Sequence, residues 1–228
     1  MSIPNSLLPK GFDRHSFICY VVGMELILYT RSERAALTQE TYEMLLRRLH
    51  PEKRARLERL PARQRELSLL GDLLARRQAA DLLGADPEEL LLTQDENGRP
   101  FVPGQRVHIS ISHSGDQVCA AAALHPLGLD MELLRPVSDR LAEKVCSASE
   151  LRWVSAGPDH AERFLRLWTM KEAYGKFTGL GVFRAPRLEL AISGERLIET
   201  YPDCRFSRPE ETDGIIVSLC TPLPDKYR

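Results

Sequence analysis

No apolar run in this 228-residue chain approaches the ~18 residues that a membrane-crossing helix requires. Cysteine is scarce and poorly spaced for bridging. Cys19, Cys119, Cys146, Cys204 and Cys220 are odd in number, scattered and without a Cys-x-x-Cys pair. That excludes a disulfide framework and a zinc site and predicts reduced thiols in the cytoplasm. Residues 1–14 lack the basic stretch and apolar stretch of a secretion signal. An excess of either charge is missing too. The 31 Lys+Arg stand against 32 Asp+Glu, a formal net charge of -1, which argues against bulk binding to nucleic acid. No Pro- or Ser-rich linker and no low-complexity segment interrupts the chain. With 43% hydrophobic residues, it is expected to bury ~70% of the surface its unfolded form exposes and to fold without staples.

What is present falls into two similar series. Residues 17–29 are β-branched and aromatic, as in a buried strand or a strand pair near Gly23. Tyr42, Leu45, Leu46 and Leu49 recur at helical spacing behind Thr38, a residue suited to N-capping. Pro51 suits the first position of a second helix, and Leu67, Leu70 and Leu74 predict a longer one stopped by Gly84. Asn97-Gly98 marks a turn. Val107, Ile109 and Ile111 alternate with polar residues in a strand over 107–112, whose hairpin partner covers 117–124 across His113-Ser114-Gly115-Asp116. A further strand spans 127–132. Asp159 and Glu162 predict a capping box opening a helix to about Phe177, ended by Gly179 and Gly181. Residues 187–220 read as strands again. The order strand, helices, two strands thus occurs twice. It predicts an α+β fold of two similar halves, residues 1–126 and 127–228.

Four segments carry chemistry. Residues 47–65 hold eight Lys/Arg less two acids, a local net of +6, which reads as a solvated helix face or as a phosphate site. In Gly128-Leu129-Asp130-Met131-Glu132, strand periodicity puts both carboxylates on one face. Such a face either meets water or holds a hard cation such as Mg2+, which takes carboxylate oxygens and keeps several waters. Phe164, Trp168, Glu172 and Lys176 stack at intervals of four on a helix, so Glu172 follows two aromatic core residues inward. There it supplies a third carboxylate, flanked by Lys171 and Lys176 as anion clamps, or else it forms a simple helix ion pair with Lys176. Ser112-His113-Ser114-Gly115 gathers hydroxyls, an imidazole and backbone N–H groups at a strand end, a setting for a phosphate or for a plain hairpin. No Gly-x-Ser-x-Gly elbow is present to support serine hydrolase chemistry.

Five blocks in order carry a resemblance. They are Pro51-Glu52-Lys53-Arg54, Leu69-Leu70-Gly71-Asp72, Gly98-Arg99-Pro100 leading to Ile111-Ser112-His113-Ser114, Gly-x-Asp-x-Glu at 128–132 and Trp-x-x-Lys-Glu-x-x-x-Lys at 168–176. With them the chain resembles the 4′-phosphopantetheinyl transferases, in the single-chain type that modifies carrier proteins of polyketide, nonribosomal peptide and fatty acid synthesis. The resemblance implies a monomeric pseudodimer with coenzyme A in the cleft between its halves. It also implies cytoplasmic action on an apo acyl or peptidyl carrier protein, without nucleic acid or membrane.

By the same resemblance, Asp130, Glu132 and Glu172 are the Mg2+ ligands, and Lys171 and Lys176 lie near the pyrophosphate, Lys176 stabilising the transition state. Ser112 and His113 match the 3′-phosphate site, joined by Lys53, Arg56 and Ser68, and Arg99 lies beside the adenine. Leu67 is apolar where the family often has a polar contact to the nucleotide. The attacking group is a carrier serine, the leaving group 3′,5′-ADP, and Glu172 the general base. Leu133-Leu134 and residues 137–146 are expected to face the carrier. Two other readings use the same residues: a Mg-dependent hydrolase of nucleotide diphosphates, and a non-catalytic coenzyme A-binding module.

Overall fold

A computed structural model describes residues 17–22, 25–33, 37–181, 188–194, 196–209 and 214–223. The chain forms two units, one of Met1–Asp95 with Pro100–Leu124 and one of Glu96–Arg99 with His125–Arg228.

The first unit opens with β1 (Phe17–Val22) and β2 (Glu25–Glu33), an antiparallel pair where the sequence predicts one; Gly23 itself lies outside the described residues. Three helices follow: α1 (Gln39–Arg47), α2 (Pro51–Glu58) and α3 (Ala62–Leu83). Thr38 caps α1, its Oγ1 accepting the Thr41 N–H at 3.2 Å, and Pro51 stands in the first turn of α2. The chain then runs through the short β3 (Thr93–Gln94) and β4 (Pro100–Phe101) to the hairpin of β5 (His108–Ser114) and β6 (Gln117–Ala123). The sheet order is β1-β2-β6-β5.

Helix α3 covers this sheet, packing Leu67, Leu70 and Leu74 against Val107, Ile109 and Val118. Leu67 is therefore a core residue, which is why no polar group stands there. The β5 ladder outlasts its apolar alternation. Backbone pairing continues through His113 and Ser114, and only Gly115-Asp116 turns, with Gly115 at φ 59. Ser112 thus lies in the strand, as predicted, whereas His113 and Ser114 sit inside it and not in the predicted turn.

The second unit repeats the plan: β7 (Gly128–Leu133), α4 (Asp139–Val145), α5 (Ala148–Ser155), α6 (His160–Thr178), the short β8 (Ile192–Ser193) and β9 (Arg196–Leu197), then β10 (Cys204–Ser207) and β11 (Ile215–Pro222). Its sheet runs β7-β11-β10, the same order as β2-β6-β5. The strand before the helices pairs with the last strand, which pairs with the one before it. The fold is thus α+β in two similar halves. Of the strand-like stretch 187–220, residues 187, 195 and 210–213 lie outside the described residues.

The expected capping box at α6 is not formed. Asp159 has φ -94 and ψ 31, outside the extended conformation from which a capping side chain reaches the first turn. Its Oδ1 instead accepts from Arg163 Nε at 3.1 Å, and Glu162 accepts from Arg166. The box that does form is at α5, where Ser147 Oγ and the Glu150 carboxylate exchange bonds with each other's backbone N–H. Among the described residues no helix is long and apolar enough to cross a membrane. A cavity of about 470 Å³ lies in this unit, lined in part by Val137, Ala142, Leu151, Val154 and Phe164.

Candidate active site

The site starts from a missing side chain. A Cβ on Gly128 would overlap the carbonyl oxygen of Ala173 and the amide nitrogen of Phe177, so the α6 backbone lies directly on β7. Only glycine permits that approach. Asp130 and Glu132 share the Gly128 face of the strand and so come beside the same helix. Ser218, the cross-strand partner of Asp130, meets Thr169 of α6 at 2.8 Å, oxygen to oxygen, with both side chains buried. Two turns on, Lys176 Nζ donates to Asp130 Oδ1 at 2.8 Å and to the Leu129 carbonyl at 2.9 Å. Phe164 and Trp168 stack upstream with ring centroids 6.3 Å apart, which sets the half-buried Glu172 on the inward edge.

Four of the predicted residues therefore meet: Asp130, Glu132, Glu172 and Lys176. Burial raises the Glu172 carboxyl above the ordinary carboxylate range; the Asp130 charge raises it further, Lys176 pulls it back, and Glu132 raises it again. Glu132 also accepts from Arg135 at 3.4 Å. Among the described residues no three His, Cys, Asp or Glu side chains converge on one point as metal ligands. Lys176, not Glu172 or Glu132, is what bonds to Asp130.

Lys171 goes elsewhere. Its ammonium donates to Glu150 at 2.7 Å and to the Val145 carbonyl at 3.1 Å, not to the carboxylates that it was expected to flank. Glu150 went unremarked in the sequence, although Ser147-Ala148-Ser149-Glu150 is a readable capping signature.

In the first unit, three of the eight basic residues of the +6 run, Arg48, Lys53 and Arg63, are matched by acids distant in sequence. Lys53 is buried and bonded to Asp72, whose other oxygen lies 2.8 Å from Arg76 Nε in an ion pair without hydrogen-bond geometry. Two of the blocks quoted above, around Lys53 and Asp72, are thus one buried ion cluster. Arg48 pairs with Glu88 and Arg63 with Asp116, while Arg56 donates to Gln94. Ser68 is half-buried on α3. Ser112 is buried and His113 exposed; as neighbours in a strand they project to opposite faces. Arg99 groups with the second unit, its guanidinium next to Gly179.

A family model described as the 4′-phosphopantetheinyl transferase superfamily matches residues 126–211, and one described as the N-terminal part of 4′-phosphopantetheinyl transferase matches residues 36–125. The chain belongs to the 4′-phosphopantetheinyl transferases. Among curated members of that family, it is 29% identical over 199 residues to 4′-phosphopantetheinyl transferase Sfp of Bacillus subtilis (strain 168), covering 83% of this chain and 89% of Sfp. It is 35% identical over 118 residues to 4′-phosphopantetheinyl transferase gsp of Aneurinibacillus migulanus, covering 51% of this chain and 49% of the relative. With 4′-phosphopantetheinyl transferase HetI of Nostoc sp. it shares 32% identity over 121 residues, covering 49% and 51%. The chain thus matches about half the length of two of these phosphopantetheinyl transferases and most of the third.

Proposed function

We propose that this protein transfers the 4′-phosphopantetheine group of coenzyme A to a serine of an apo acyl or peptidyl carrier protein, releasing 3′,5′-ADP. The observation that carries this reading is the meeting of Glu172, Asp130, Glu132 and Lys176 inside the family-matched stretch 126–211. The other family-matched stretch, 36–125, contains Arg56, Ser68, Ser112 and His113. On this reading coenzyme A is the bound substrate. Arg56, Ser68, Ser112, His113 and Arg99 surround its nucleotide end, and Lys53 shares its charge between Asp72 and the 3′-phosphate. The carrier is received near Leu134 and residues 137–146, and a single cytoplasmic chain performs the reaction.

The residues fit a Mg2+ ion. Burial and the neighbouring Asp130 and Glu132 charges raise the Glu172 carboxyl, a strain that a cation would relieve, and hard oxygen donors are what Mg2+ takes. Asp130, Glu132 and Glu172 would hold it, and when bound it supplies charge neutralisation across a diphosphate. Lys176 places a positive charge where negative charge develops on the 5′-phosphate of the leaving 3′,5′-ADP. Glu172 accepts the proton of the attacking serine hydroxyl, the role of a positioned general base.

The test is intact-mass analysis of several apo acyl and peptidyl carrier proteins incubated with this protein, coenzyme A and Mg2+. The expected result is the gain of one phosphopantetheine unit at a serine. No gain on any carrier overturns the proposal, and 3′,5′-ADP release without a carrier identifies a hydrolase instead.

A further inference from the structure

Glu150 is fully buried, yet neither the family blocks nor the proposed chemistry uses it. Its Oε2 accepts the Ser147 N–H at 2.7 Å and Lys171 Nζ at 2.7 Å, while Oε1 accepts the Leu190 N–H at 2.8 Å. Lys171 adds a bond to the Val145 carbonyl at 3.1 Å. One carboxylate and one ammonium therefore tie together the end of α4, the start of α5, the middle of α6 and the segment before β8. The side chain of Lys171 is only 10% exposed and that of Glu150 0%, so neither charge can swing into water without leaving its partner uncompensated in the interior. Glu172, the next residue along α6, inherits its direction from this anchor, because successive helix residues differ by a fixed rotation about the axis.

We infer that Glu150 and Lys171 are positioning residues: their buried pair fixes the rotation of α6 that turns Glu172 toward β7, and Lys171 is not a phosphate ligand. This inference rests on the reading of Glu172 as the base. It divides the two lysines of the 168–176 block into one that anchors, Lys171, and one that reaches the carboxylates, Lys176. A displacement on the order of 1 Å at a reacting group costs about 10²-fold in rate, so an anchor one residue away acts on turnover without touching substrate.

The test compares Glu150→Gln, Lys171→Met and the double variant with the wild type, using coenzyme A, Mg2+ and a carrier that the wild type modifies. Each single variant should lower kcat by up to about 10²-fold with KM for coenzyme A unchanged, since ground-state contacts are kept. The double variant should regain part of that loss, because no buried charge is left unpaired, and it keeps the comparison available if a single variant unfolds. A raised KM for coenzyme A in Lys171→Met that persists in the double variant would make Lys171 a phosphate ligand and overturn the inference. Lowered thermal stability with kcat and KM both unchanged would reduce the pair to a structural one and overturn it too. Amide exchange over residues 168–176 gives a readout free of activity: it should speed up in Lys171→Met and slow again in the double variant. Unchanged exchange overturns the anchor even if transfer proceeds, whereas a wild type that modifies no carrier overturns the proposed function and leaves the exchange result standing.

Discussion

Glu172→Gln separates the duties of a single side chain. Glutamine keeps the size and an oxygen but accepts no proton at neutral pH. Coenzyme A binding should therefore survive while kcat falls by about 10²–10⁴, the usual worth of a positioned base, as single-turnover assays with excess Mg2+ would reveal. The same substitution has a second signature. The folded protein holds the Glu172 proton more readily than the unfolded chain, so this group favours folding at low pH and costs stability as pH rises past the usual 4.5. In metal-free buffer at pH 7 the glutamine variant should melt above the wild type, and the gap should close as pH falls below 4.5. Lys53 behaves oppositely. Lys53→Ala leaves Asp72 buried with Arg76 as its only cation among the bonds described, and truncating one member of a buried pair costs roughly 3–5 kcal/mol. Urea unfolding should record that loss; a shift confined to KM for coenzyme A would make the pairing with Asp72 unimportant.

At the level of elements, much was legible in the sequence, and what escaped has a common cause. Thr38, Pro51 and Gly84 announced helix ends because capping is read within a few residues. The Asp130–Glu132 face and the inward edge of α6 followed from periods of two and 3.6. Pairings over long separations were invisible: the +6 run looked uncompensated until Asp72, Glu88 and Asp116 arrived from 19, 40 and 53 residues away. Lys171 was misdirected for the same reason, its partner lying 21 residues upstream. The false capping box at Asp159 failed on backbone conformation, which residue types alone do not encode. Gly128 is where elements and chemistry join most tightly. Gly128→Ala sets a methyl group against the α6 backbone, which cannot yield as a side chain would, so the cost should reach or pass the upper end of the 1–3 kcal/mol that overpacking usually brings. Because α6 carries Glu172 and Lys176 away with it, turnover should drop together with the urea midpoint. Full activity in a destabilised Gly128→Ala protein would show that the spacing of helix and strand does not set the site.

For the molecule as a whole, the repeated strand order has a consequence for how the chain becomes a protein. In the second unit the last strand, β11, is not an edge: it lies between β7 and β10 and hydrogen-bonds to both. Asp130 has its cross-strand neighbour, Ser218, on this final strand. The half that holds the proposed catalytic carboxylates therefore cannot form its three-stranded sheet until residues 215–222 have been made, whereas the first unit closes its four-stranded sheet with β6 by residue 123. A chain cut after residue 209 should lose the cooperative unfolding of the second unit, not merely a fraying end, while protease-resistant material from the first unit survives; limited proteolysis with mass analysis would distinguish the two. During synthesis, the acidic pair of β7 waits more than eighty residues for the strand that locks it in register. On the proposed function, a copy of the chain that stops short of β11 should transfer nothing, however complete its first unit.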